Sequence, residues 1–247
     1  MVHDVSDALR TTEELCKREF PTASSCLLAG SIVRGEAATT SDLDVVVLFD
    51  RVERAWRQSL IFEGWPVEVF THDMQTLRYF FERVDGPSGV PSLPNMVSEG
   101  LEVLQPTGLG EQAKAMADRF LAAGPAAWEQ SARDDSRYAI SDMVEDIRGA
   151  RGANECRPVL ANLYAALADH YCRSRRFWSA KGKAIPKHLT AIDPPFGQRF
   201  LDAFERAFTA DDIDPVVALS EEVLAPDGGC LFNGYVREAP ADWRLGG

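Results

Sequence analysis

Residues 28–50 read Leu28-Ala29-Gly30-Ser31-Ile32-Val33-Arg34-Gly35-Glu36-Ala37-Ala38-Thr39-Thr40-Ser41-Asp42-Leu43-Asp44-Val45-Val46-Val47-Leu48-Phe49-Asp50. The short apolar run Cys26 to Ala29 enters this stretch and stops at Gly30-Ser31, the pattern of a strand passing into a turn. Arg34 to Thr40 is small and polar. Leu43 to Phe49 is almost purely apolar and β-branched, as expected of a central strand covered on both faces. Asp42 and Asp44 open that strand. Side chains two apart on a strand share a face, so the two carboxylates project side by side. Carboxylates held so close repel each other and shift each other's ionisation. A divalent cation between them relieves the repulsion. Mg²⁺ favours such oxygens and leaves other positions to substrate phosphates.

The preceding turn supplies the complementary chemistry. A glycine at the strand end lets the backbone approach a phosphate, and Ser31 with nearby backbone N–H groups can donate to phosphate oxygens. Arg34 adds a bidentate donor, or is a solvated loop charge. Downstream, Trp65 to Phe70 reads as another strand, with Val67 and Val69 on one face and Pro66, Glu68 and Phe70 on the other. A glutamate between two valines in a short strand is unusual unless it faces a cleft or a metal. Glu68 is therefore the candidate third carboxylate, as a metal ligand or as the acceptor of a proton from an attacking hydroxyl.

Taken together, Gly30-Ser31, Gly35, Ser41, Asp42, Asp44 and Glu68 resemble the signature of the DNA polymerase β-like nucleotidyltransferase superfamily. The resemblance covers the first ~105 residues by motif and the rest only by arrangement, which is similar to that of small antibiotic nucleotidyltransferases acting on aminoglycosides or lincosamides. It implies two Mg²⁺ ions held by Asp42, Asp44 and Glu68, with a nucleoside triphosphate, ATP in the first instance, as co-substrate. It further implies transfer of the nucleoside monophosphate to a hydroxyl of a small acceptor, with pyrophosphate released. Other readings are a protein- or RNA-nucleotidylating enzyme, or a nucleotide-sensing or partner-binding module without turnover. Some relatives build the site across a dimer, so a homodimer is a further expectation.

Outside the motif, residues 5–18 read as a helix, 53–60 as a short helix, 73–83 as a helix, Gly86 to Pro94 as a loop and Leu101 to Leu104 as a short last strand. Composition changes near Pro106-Thr107-Gly108. Beyond it the chain reads as helices over roughly 110–123, 126–150, 157–178, 196–209 and 212–224. Ile140, Met143, Val144 and Ile147 form one apolar stripe; Leu160, Leu163, Tyr164, Leu167 and Tyr171 form another. The expected architecture is an α/β nucleotidyltransferase-type mixed sheet with helices over 1–106, followed by an all-helical bundle over 107–247 that binds substrate, with a ligand cleft between them.

The chain has 247 residues and a net charge of −12. Such acidity disfavours a nucleic-acid track and suits a cationic small molecule. A local reversal runs from Arg173 to Lys187, where Lys181 and Lys183 flank Gly182. These two cations read either as donors to a triphosphate or as a solvated helix end. Asp135, Asp142 and Asp146 share a helix face opposite Ile140 and Ile147, the place of a wet amphipathic face, of a receptor for a cationic acceptor or of a general base. Trp178 and Tyr138 read as core in preference to stacking platforms, and the four histidines lack metal-ligand spacing. Five scattered cysteines suggest reduced thiols in a cytoplasm. The sequence suggests no signal peptide and no apolar stretch of the ~18 residues that span a bilayer.

Overall fold

The computed structural model describes residues 5–240 and Trp243. It divides into two compact units, one ending at Gly124 and the other beginning at Pro125.

In the first unit, α1 (Val5–Glu19) leads into β1 (Ser25–Ala29), β2 (Leu43–Leu48), β3 (Trp56–Phe62) and β4 (Trp65–His72). Then come α2 (Met74–Phe80), a π-helical turn (Phe81–Asp85), the short α3 (Gly86–Ser88), α4 (Ser92–Glu99), β5 (Leu101–Glu102) and α5 (Leu109–Ala123). The strands form one mixed sheet in the order β3-β4-β2-β1-β5. β2 and β4 run parallel, and the other neighbours are antiparallel. The apolar run of β2 is covered on both faces, as its composition requires. Leu43, Val45 and Val47 join Ala8 and Leu15 of α1 in one core, while Val46 and Leu48 join Leu77, Phe81, Val97, Ala113 and Ala117 in another. Residues after the compositional change at 106–108 thus contribute to the sheet's second core, through α5.

Three local expectations are corrected. Residues 53–60 are not a helix: Trp56–Phe62 is the edge strand β3, paired to β4 through Phe62↔Trp65. The two-residue connection explains it, because Glu63 and Gly64 both adopt left-handed φ values of 50° and 86°, the backbone of a tight hairpin turn. The segment from Gly86 to Pro94 is not wholly a loop; it holds α3 and the first turn of α4, where Pro94 lacks only a donor that a helix start leaves unused. Cys16 of α1 and Cys26 of β1 are joined in a disulfide, so the expectation of five reduced thiols fails for that pair. The chain reverses at Pro21, which lays the buried side of α1 on the strand that follows.

In the second unit α6 (Gln130–Gly149), α7 (Ala153–Ser174), α8 (Ile185–Ile192), α9 (Pro194–Ala210) and α10 (Asp214–Leu224) pack as a bundle. Ile140, Val144 and Ile147 of α6 meet Leu160, Leu163 and Leu167 of α7 in its core, as the helical periodicity requires. Phe200 and Phe204 of α9 fill the centre, with Tyr164 packed edge-on against both rings. The sequence reading omitted α8, a helix of eight residues with Pro186 in its first turn. Because Phe200 is fully buried, Phe200→Ala is expected to destabilise the chain by roughly 3–5 kcal/mol, read from its urea unfolding midpoint.

Candidate metal and nucleotide site

The parallel pairing of β2 with β4 sets Asp44 opposite Glu68. The antiparallel pairing of β1 with β2 sets Ala29, the residue before Gly30, opposite Asp44 on the other side. Asp42 lies just before β2. Strand alternation puts Asp44 and Glu68 on the sheet face of Val46 and Phe70. Asp42, Asp44 and Glu68 each bring a carboxylate oxygen within 4.8 Å of the others.

This crowding changes the ionisation of Asp44. Burial first, then the charges of Asp42, Glu68 and Glu99, push its carboxyl from 3.8 up to about 6, with Arg34 opposing. Like charges converging in a half-buried pocket are the donor set that a hard divalent cation satisfies. The residues present therefore fit a divalent-cation site.

The turn after β1 is shaped to the same place. Gly30 has φ +81°, and a Cβ there would lie 2.1 Å from Oδ2 of Asp44. No side chain fits between this backbone and the carboxylate. The turn closes through Arg34 N–H to the Gly30 carbonyl and Glu36 N–H to the Ser31 carbonyl, at 3.2 and 2.8 Å. Ser31 Oγ donates to Ser41 Oγ at 3.1 Å, and Ser41 Oγ accepts from the Ala38 N–H at 2.8 Å. These bonds tie the two ends of the loop together and hold Ser31 beside the Asp42 segment.

Gly30, Ser31, Arg34, Asp42, Asp44 and Glu68 all fall in this one region of the first unit. Lys181 and Lys183 stand in the second unit, exposed on either side of Gly182. The acidic face of α6 is as expected for Asp142 and Asp146, which are exposed. Asp135 instead accepts from Tyr235 Oη at 2.7 Å and pairs with Arg237. Tyr138 stacks on Tyr235 with ring centroids 4.1 Å apart, and Trp178 accepts on its carbonyl from His188. His170 is buried between Ser136 and Asp227.

Two residues escaped the sequence reading. Arg57 of β3 pairs with Glu68 at 2.5 Å and lies over the Phe70 ring. Glu99, the last residue of α4, accepts from the Gly30 N–H at 3.0 Å and from Arg34 Nη1 at 2.5 Å. A signal for Glu99 did exist, since an acid in the last turn of a helix opposes the helix dipole and calls for a compensating contact.

Residues 9–85 match the model of the nucleotidyltransferase domain family. This part of the chain is a nucleotidyltransferase domain of the DNA polymerase β-like superfamily. The match ends at the π-helical turn and includes every residue of the acidic triad and of the Gly30–Arg34 turn. Among solved structures the chain is similar to a nucleotidyltransferase-like protein from Exiguobacterium sibiricum, at 13% identity, covering 89% of this chain and 75% of that one with a TM-score of 0.47. No curated protein matches the chain by sequence. Among the described residues no helix is long and apolar enough to cross a membrane.

This candidate site yields two predictions. The folded state raises the Asp44 carboxyl from 3.8 to about 6. The fold thus favours its protonated form, and stability is lost as pH rises from about 4 through about 6. Without divalent cations at pH 7.5, Asp44→Asn should melt a few degrees above the wild type; near pH 4 the difference should vanish. Mg²⁺ should reverse the order at pH 7.5 by stabilising only the wild type, and its affinity should weaken as pH falls below about 6. Separately, Gly30→Ala should abolish Mg²⁺-induced thermal stabilisation, because the added methyl displaces Asp44.

Proposed function

We propose that the protein transfers a nucleoside monophosphate, AMP in the first instance, from a nucleoside triphosphate to a hydroxyl group of a small acceptor, with release of pyrophosphate. The observation that carries this reading is the convergence of Asp42, Asp44 and Glu68 at the foot of the Gly30-Ser31 turn. Two adjacent carboxylates with a third across the sheet have no use in a simple nucleotide pocket, where they would repel the phosphates.

In this reading Asp42, Asp44 and Glu68 would hold Mg²⁺. When bound, Mg²⁺ supplies Lewis-acid stabilisation of charge on the attacking and leaving oxygens. The chain's own residues do the rest. The Ser31 hydroxyl and the backbone of the turn receive phosphate oxygens. Arg34 adds charge-assisted hydrogen bonds to them. Glu68 accepts the proton of the attacking hydroxyl. The packed strands that carry Asp44 and Glu68 keep these groups in place, as in-line phosphoryl transfer requires.

A cationic, hydroxyl-bearing acceptor of the aminoglycoside kind suits the net charge of −12. The test is pyrophosphate release from each of the four ribonucleoside triphosphates with Mg²⁺, with and without a panel of aminoglycosides and lincosamides. Release should depend on an acceptor and fall by at least about 10²-fold in Asp42→Asn and in Asp44→Asn. Undiminished release in both variants would refute the reading. Binding of Mg²⁺-nucleotide with no release from any acceptor, protein and RNA included, would assign the chain to nucleotide sensing instead.

A further inference from the structure

Four carboxylates crowd the mouth of the Gly30 turn, and they divide into two sets. Asp42, Asp44 and Glu68 turn their oxygens toward one another. Glu99 does not join them. Its Oε1 accepts from the backbone N–H of Gly30 and from Nη1 of Arg34, at 3.0 and 2.5 Å. Arg34 is held a second time, through Nε to Glu36 at 3.2 Å. Glu99 therefore links the turn's backbone to the turn's cation.

The fold fixes Glu99 with some care. Leu93, Pro94 and Val97 of α4 are buried, and Ser98 donates to Asp118 of α5 at 2.5 Å. The next residue, Gly100, passes so close to β1 that a Cβ would lie 2.8 Å from the Met96 carbonyl and 2.9 Å from Cβ of Leu27. The end of α4 is thus pinned against the sheet within one residue of the carboxylate. The acid sits where the helix dipole opposes it, and the two donors offset that cost.

We infer that Glu99 is a positioning residue: it clamps Arg34 to the Gly30 turn, so that the guanidinium meets a bound triphosphate from a fixed place. The inference rests on the reading of the site as a nucleotide site. Asp42, Asp44 and Glu68 would otherwise attract the arginine, because a flexible cation beside a partly buried acidic cluster folds onto it. Held by Glu99 and Glu36, Arg34 stays apart from the metal-binding oxygens and keeps its remaining N–H donors for phosphate. Glu99 sets nucleotide affinity through Arg34 and binds no metal.

The test uses the full chain with Mg²⁺ alone and with Mg²⁺-ATP as probes, in calorimetric titrations of wild type, Glu99→Ala, Glu99→Gln, Arg34→Ala and the Glu99→Ala/Arg34→Ala double variant. Glu99→Ala should weaken Mg²⁺-ATP roughly tenfold, and the Glu99→Ala/Arg34→Ala double variant, with no arginine left to fall on the triad, should bind Mg²⁺ alone as the wild type does. Glu99→Gln keeps an acceptor oxygen and should stay within about threefold of wild type. The double variant should be no weaker than Arg34→Ala. Mg²⁺-ATP binding by Glu99→Ala as tight as wild type, or loss of Mg²⁺ alone in the double variant, overturns the inference while the nucleotide reading stands. If Glu99→Ala does not fold, a Glu99→Gln affinity reduced as far as that of Arg34→Ala overturns it. A wild type that fails to bind Mg²⁺-ATP fails the nucleotide reading itself.

Discussion

Everything in the site depends on one pairing, the parallel register of β2 with β4 that sets Asp44 opposite Glu68. Backbone hydrogen bonding supplies the force that holds two like charges together, and Asp42 adds a third from the same strand entrance. Burial first, and then this repulsion, pushes the Asp44 carboxyl up to about 6. A sheet covered on both faces can bear that strain, since β2 is buried along nearly its whole length. The apolar strand and the acidic cluster are two halves of one device. The valines of β2 supply rigidity, and the aspartates at its start use it.

Around this centre the chain arranges cations beside the acids. Arg57 reaches Glu68 from the edge strand, and Arg34 stands between Glu36 and Glu99. Asp42, Asp44 and Glu68 each keep a carboxylate oxygen within 4.8 Å of the others. Gly30 completes the geometry by removing the one side chain that would stand between the turn and Asp44.

Much of this was legible in the residues, and the physical reasons are specific. Asp42 and Asp44 could be placed side by side because strand side chains repeat every two residues. Glu68 stood out because a charge between valines needs a partner. Glu99 and Arg57 stay hidden for a common reason: local composition does not reveal the elements that carry them. Residues 53–60 have the composition of a helix, and only the left-handed Glu63-Gly64 pair makes them a hairpin arm that can deliver Arg57. The Gly- and Pro-rich stretch before Glu99 suggested a loop, yet Pro94 falls where a helix tolerates it. The Cys16–Cys26 link is a contact between a helix and a strand, which spacing along the chain does not reveal. In the second unit the apolar stripes of α6 and α7 were clear from period alone, whereas the claim of Tyr235 and Arg237 on Asp135 joins segments about a hundred residues apart.

The central claim is that Asp42, Asp44 and Glu68 form a divalent-cation site at a nucleotide's phosphates. Anomalous diffraction from crystals grown with Mn²⁺ and a non-hydrolysable ATP analogue tests it most directly. The account predicts an anomalous peak within about 2.0–2.3 Å of oxygens of Asp42, Asp44 and Glu68, with phosphate density between that peak and the Gly30–Arg34 turn. Bound nucleotide with Mn²⁺ located elsewhere, or no peak at the triad at saturating Mn²⁺, would contradict it.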